Sequence, residues 1–295
     1  MKSLAIYLLG SSVLLFSCQE ESPNIQTQKG VNQIIADHTI IDDFDKIPEN
    51  YIAKVKEMWV TIPGESHSKA YRIGLTLLEE ADNRYSVNIT ETGPPEPYIN
   101  SHLRASRATW GDLDHETGWR YSYGEEDWFT SENAVSRTKN GIAYANNNNF
   151  VIAAIGFGWC YDPGIDVDLY LNATQKYIDF CNENNFMTVV FFTTGPVDDG
   201  YSPQQGYESS LVYKKIREYV AADSTRVLFD YADILCFDED GKSNTRSWSG
   251  NKYPYITNKN LGEGDIGHIG EKGAIRLAKG MWWMLARIAG WDGRR

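Results

Sequence analysis

The chain has 295 residues, 42% of them hydrophobic, and its 40 acidic side chains outnumber 28 Lys and Arg to give a formal net charge of −12. That balance excludes the basic footprint needed to hold phosphates, so no nucleic-acid partner is expected. The length suffices to bury one sizeable core, and a single domain is the simplest expectation.

The chain opens with Met1-Lys2-Ser3 and an apolar run from Leu4 to Phe16. A basic start followed by a short apolar stretch predicts an export signal, since the run is too short for a confident membrane span. It ends in Leu15-Phe16-Ser17-Cys18, which resembles a bacterial lipoprotein box, with Cys18 as the lipidated N-terminus. A plain secretory signal with an incidental cysteine is the other reading. The polar, acidic Gln19-Glu20-Glu21-Ser22-Pro23-Asn24 reads as a tether and resembles the tags of surface lipoproteins. The expected organisation is therefore a signal over 1–17, a tether over 18–30 and one domain over 31–295. The expected location is the bacterial outer membrane, on its periplasmic or outer side, with contact to the membrane through lipid alone.

Residues 25–56 carry no decisive pattern. Glu57 to Pro63 reads as a short buried strand, followed by a helix over about 68–80 with Ala70, Ile73, Leu75, Leu77 and Leu78 inward. Residues 85–90 alternate like a strand that Gly93-Pro94-Pro95-Glu96-Pro97 terminates. The segment from Trp110 to Trp128 is rich in rings and polar groups, the composition of a loop that lines a cleft. Three helix-and-strand units then follow: a helix at 131–147 into a strand at 150–155, 166–185 into 187–192, and 207–222 into 226–230. The last helix, 271–288, carries Ala274, Ile275, Leu277, Ala278, Met281, Trp282, Leu285 and Ile288 at helical spacing. Continuously apolar strands alternating with helices predict an α/β fold, a three-layer α/β/α sandwich around a parallel sheet, with functional loops at the strands' carboxyl ends.

Two motifs fall on those loops. Gly64-Glu65-Ser66 follows the first buried strand, and Asp265-Ile266-Gly267-His268 precedes the last helix. A serine hydroxyl needs a base to take its proton and donors to hold the oxyanion it creates. Unpaired amides at a helix N-terminus, near Ser66 and His67, can supply the donors. His268 can supply the base, with Asp265 holding its other ring nitrogen.

With these motifs in this order, the chain resembles the SGNH hydrolases, also called the GDSL family, over most of residues 57–290. In that family a Gly-Asp-Ser block carries the nucleophile and an Asp-x-x-His block precedes a final helix. The resemblance implies a flavodoxin-like fold and a Ser66, His268 and Asp265 triad that hydrolyses esters through an acyl-enzyme, without a cofactor or metal. It also implies an oxyanion hole built by Ser66, Gly111 and Gly158. Gly111 lies in Ala108-Thr109-Trp110-Gly111. Gly158 closes Gly156-Phe157-Gly158, where the family has Gly-x-Asn, so the backbone amide of Gly158 or Trp159 would replace an asparagine side chain. The family includes carbohydrate O-acetylesterases, which makes a small-molecule or polysaccharide ester the expected substrate. A non-catalytic glycan-binding lipoprotein that works through the Trp110–Trp128 loop is the alternative.

Other residues compete for these roles. His67 reads equally well as a site residue or a locally bonded helix-start histidine. His102 and the Asp112-Leu113-Asp114-His115 run are rival bases, and Asp162, Asp198 and Asp199 are candidate glycosidase carboxylates. Asp238-Glu239-Asp240-Gly241 reads as a solvated acidic turn, lacking the spacing of a calcium loop. Asn146–Asn149 reads as a helix end and Trp282-Trp283 as packing. After Cys18, an odd set of cysteines remains, Cys160, Cys181 and Cys236, so one disulfide with a free thiol or buried thiols both stand, and they lack metal-ligand spacing.

Overall fold

In the computed structural model, the described residues are 33–64, 66–91, 96–107, 109–110, 119–120, 127–148, 150–159, 166–197, 200–262 and 266–293. The signal at 1–17 with Cys18, the tether at 18–30, Glu65, Gly111, Asp112, His115, Cys160, Asp162, Asp198, Asp199 and Asp265 lie outside them.

The chain enters through a two-residue strand, β1 (Ile35–Ala36), a 3-10 turn over His38–Lys46, and α1 (Glu49–Lys56). β2 (Trp59–Thr61) and α2 (Ser66–Ala81) carry the first motif, and β3 (Val87–Thr90) and β4 (Leu103–Ser106) follow. A two-residue pair, β5 (Thr109–Trp110) with β6 (Trp119–Arg120), falls within the ring-rich segment, before α3 (Asp127–Thr130) and α4 (Glu132–Asn147). Then come β7 (Ala154–Gly156), α5 (Val167–Glu183), β8 (Val189–Thr193), α6 (Pro203–Ala221), β9 (Val227–Phe229) and α7 (Tyr231–Cys236). A hairpin of β10 (Asn244–Trp248) and β11 (Asn251–Tyr255), then α8 (Asn258–Leu261) and α9 (Glu271–Ile288), complete the described elements.

The main sheet is seven-stranded, in the order β1-β9-β8-β7-β2-β4-β3, and each neighbouring pair is parallel. Strands β2, β4, β7 and β9 are buried throughout, as a parallel strand covered on both faces must be. One group of helices, α1, α2, α7 and α8, packs around α9, and a second, α3 to α6, packs in succession. The fold is the three-layer α/β/α arrangement expected. Among the described residues, no helix is long and apolar enough to cross a membrane.

Several boundaries shift for identifiable reasons. The helix expected at 207 starts at Pro203, because Ser202 and Gln205 form a reciprocal capping box with proline in the first turn. The strand expected from Phe150 begins at Ala154, since Val151 is exposed. Strand β4 lies in a stretch without an apolar run: Arg104 and Ser106 are buried there because each has a partner. Arg104 Nη2 donates to the Glu57 carbonyl at 2.9 Å, and Trp59 Nε1 donates to Ser106 Oγ at 2.8 Å.

The other sequence features find ordinary structural roles. Trp282 is fully buried edge-on against Tyr85, and Trp283 packs on Trp291. Asn146 Nδ2 donates to the Ile142 carbonyl and to Thr188 Oγ1, and Asn148 caps α4. Cys181 and Cys236 are buried free thiols. Burial pushes the Cys181 thiol up to about 11 and Cys236 higher still, so both remain protonated near neutral pH.

Candidate functional site

The strand order sets the carboxyl ends of β4, β2, β7, β8, β9 and β1 side by side along one rim. Ser66 sits on that rim as the first residue of α2. Gly64, two residues earlier, has φ +140°, and a Cβ there would lie 2.0 Å from the Gly158 carbonyl oxygen. Only glycine allows the ends of β2 and β7 to approach this closely.

Arg72 fixes the turn from within. It is almost wholly buried, and its guanidinium is held by several acceptors: Nη1 donates to the carbonyls of Ile62 and Ser68 and to Ser68 Oγ, at 3.0 to 3.2 Å, and Nε donates to Glu91 Oε1 at 2.7 Å. One side chain thus ties the end of β2, before the serine, to the first turn of α2 behind it. Replacing Arg72 with methionine keeps the bulk and strands those acceptors, so urea denaturation is expected to show a loss of about 2–3 kcal/mol. Arg72→Lys should recover little of it, because a single ammonium cannot reproduce the planar fork.

The second motif reaches the same place. Helices α2 and α9 pack so closely that a Cβ on Gly74 would fall 2.1 Å from the Ala274 carbonyl oxygen. Farther along, Gly267 is set on the first turn of α2: a Cβ there would lie 2.3 Å from the Ser66 carbonyl oxygen and 3.0 Å from the Ala70 nitrogen. Gly267 and His268 both take positive φ, +59° and +66°. This reversal lays the His268 ring on that of His67, with centroids 4.6 Å apart and planes 27° apart. Residues about 200 apart in sequence are therefore joined at the start of one helix. Of the three triad candidates, Ser66 and His268 are brought to this corner, and Asp265 lies outside the described residues.

One expected site residue has a different role. The Gly158 N–H donates to the Pro63 carbonyl at 2.9 Å, extending the β2–β7 pairing past the strand ends. A Cβ on Gly158 would also lie 2.3 Å from Ser68 Cβ. Gly158 is a close-packing glycine, and its amide is not an oxyanion donor. The first-turn amides of α2 lie beside Ser66, and Gly111 lies outside the described residues.

Arg107, at the end of β4, was missed in sequence. Its Nε donates to the Gly64 carbonyl at 3.2 Å, so a cation lies two residues from the serine. Its position immediately after a strand is a signal only once that strand is known.

The rival motifs settle elsewhere. His102 lies between Ser101 Oγ at 3.0 Å and Glu96 Oε2 at 2.8 Å, a formal Ser-His-acid chain. It stands at the amino end of β4, on the opposite rim from Ser66, and no helix start adjoins it among the described residues. In the acidic turn, Lys259 Nζ lies 2.8 Å from Asp240 Oδ2 and 3.1 Å from Glu239 Oε1. The Lys259 ammonium holds the Asp240 carboxyl below its usual range, and the Lys242 amide bonded to Asp238 does the same there. A lysine thus provides the cation that this turn needs.

Farther along the Ser66 rim, past β9, Asp230 accepts from Arg217 Nε and Nη2 at 2.5 and 2.8 Å and from Thr194 Oγ1 at 2.9 Å. Asp233 beside it accepts from the His38 N–H and ring Nδ1, at 2.9 and 2.5 Å. Desolvation, then the Asp230 charge, raises the Asp233 carboxyl. Asp37, His38 and Asp233 form the one group among the described residues with metal-ligand spacing. The oxygens involved already serve the protein: Asp233 Oδ2 bonds His38, and Asp37 Oδ1 caps the Thr39 amide.

These observations define an α/β sandwich with a serine at a helix start and a histidine loop folded onto it. No protein-family model matches the chain, and no curated protein matches it. Among solved structures the chain is similar to the OSK domain of Drosophila Oskar, with 13% identity, a TM-score of 0.31, and coverage of 81% of this chain and 93% of that one.

Proposed function

We propose that this protein is a serine ester hydrolase that acts through Ser66, with His268 as general base and acid and Asp265 as the orienting acid. The observation that carries the reading is the seating of Gly267 on the Ser66 turn, which brings the His268 loop to the start of α2. In the first step, Ser66 Oγ attacks the ester carbonyl as His268 takes its proton. The oxyanion forms beside the first-turn amides of α2, where hydrogen bonds and the helix dipole favour negative charge. His268 then returns the proton to the departing alkoxide, and water activated by the same imidazole releases the acid from the acyl-enzyme. The SGNH resemblance of the two motifs supports the same chemistry, with an O-acetyl group on a polysaccharide as substrate, and the Leu15-Phe16-Ser17-Cys18 run supports a lipid anchor at Cys18.

A second reading has its own support. With the Gly158 amide bonded to Pro63 and no asparagine side chain at that position, Gly158 supplies no donor, and the loss of one donor that nothing replaces costs about a hundredfold to a thousandfold in rate. That deficit favours a slow esterase or a glycan-binding protein built on the same frame.

A fluorophosphonate probe separates the two. Stoichiometric labelling that peptide mapping places on Ser66, and that His268→Ala abolishes, is the expected result. A natively folded protein that stays unlabelled after prolonged exposure would favour the binding reading.

A further inference from the structure

Two histidines meet at the Ser66 turn, and their surroundings differ. His268 is exposed, on a backbone held from both sides: the Ile266 N–H donates to the Ile269 carbonyl at 2.9 Å, Ile269 is fully buried, and the Gly270 N–H donates to the Asn260 carbonyl at 2.9 Å. The φ of His268, +66°, is uncommon outside glycine and persists where the surrounding structure imposes it. That backbone brings the ring to α2, but an exposed side chain still has several rotamers open to it. His67 is 1% exposed, and with Tyr71, one turn on along α2, Trp159 and Tyr231 it lines a crevice too narrow for a water molecule. Its ring is therefore fixed in place, and it covers one face of the His268 ring. His67 also follows Ser66 directly, so the nucleophile and the ring beneath His268 share one helix start.

We infer that His67 is a positioning residue of the proposed esterase: its buried ring is the platform that holds the His268 imidazole in one orientation beside Ser66. The inference rests on the esterase reading for the role of His268. His67 is unsuited to be the base itself, because a general base exchanges protons with the leaving group and with water, and a ring 1% exposed reaches neither. A stacked ring pair favours the held orientation by about twofold to tenfold over the others. A base so held spends a larger share of its time ready to take the serine proton. The platform acts on the base and does not touch the ester, so it bears on kcat rather than on KM.

The test compares His67→Phe, which keeps a flat ring, with His67→Leu, which keeps bulk without the plane, using 4-nitrophenyl acetate and variants that circular dichroism shows to be folded. His67→Phe is expected to keep kcat within about twofold of the wild type, and His67→Leu to lose about threefold to tenfold in kcat with KM little changed. Wild-type kcat in His67→Leu, equal losses in the two variants, or a change in KM alone overturns the proposal. A second measurement does not depend on catalysis: NMR relaxation should show the His268 ring rigid in the wild type and in His67→Phe and mobile in His67→Leu. A ring equally mobile in all three overturns the platform. If neither variant folds, the wild type still decides, since rings with centroids 4.6 Å apart should give a nuclear Overhauser cross-peak, and its absence overturns the proposal. The expected contrast in ring motion, found in a protein whose wild type cleaves no ester, would support the platform and count against the esterase reading alone.

Discussion

Replacing Ser66 with alanine is expected to reduce hydrolysis of 4-nitrophenyl acetate by at least about a thousandfold while leaving the melting temperature unchanged. The magnitude follows from the chemistry: without the hydroxyl there is no acyl-enzyme, and only the amides of the first turn and substrate binding still favour reaction. Stability should hold, because the serine is only partly buried and the turn is secured by its neighbours Gly64 and Arg72. His268→Ala should cost a similar factor, and the double variant little more than either single one, since nucleophile and base act as a unit. Equal product release by wild type and Ser66→Ala would remove Ser66 from the mechanism. Additive losses in the double variant would show that His268 acts on something other than the serine.

Gly64→Ala has the largest expected effect on the fold. The new methyl group would lie 2.0 Å from the Gly158 carbonyl oxygen, at a φ of +140° that a residue with a Cβ rarely adopts. The methyl is fixed directly to one strand end and the carbonyl is backbone of the other, so β2 and β7 must separate at their carboxyl ends. A loss of about 3 kcal/mol or more is expected. For a domain of this size that lowers the melting temperature by about 6–12 °C. The residual activity of the folded fraction should fall as well, because a shift of about 1 Å at the nucleophile turn costs on the order of a hundredfold. A variant with unchanged melting temperature and kcat would mean that the two strand ends can part freely, and Gly64 would lose its structural role.

Much of this frame was legible from local pattern. The buried strands at β2, β8 and β9 are short apolar runs between helices with regular apolar spacing, and both signals reflect burial that repeats along the chain. Strand β4 escaped because its stability comes from Arg104 and Ser106 reaching partners on β2 and just before it, contacts that composition does not encode. The hairpin β10–β11 escaped similarly. Its exposed face is polar, while Tyr253 and Tyr255 face inward, with Tyr253 meeting Tyr207 of α6.

The amino-acid sequence by itself determined the acidic character, the alternation of helices with buried strands, and the two motifs that flank a parallel sheet. Those properties depend on residue type and on spacing within one element. Tertiary structure decided which of them meet. The seating of Gly267 on Ser66, the stacking of His268 on His67 and the use of the Gly158 amide by Pro63 each join segments remote in the chain. Such contacts are fixed by how closely backbones approach, and a linear pattern of side chains does not specify that distance.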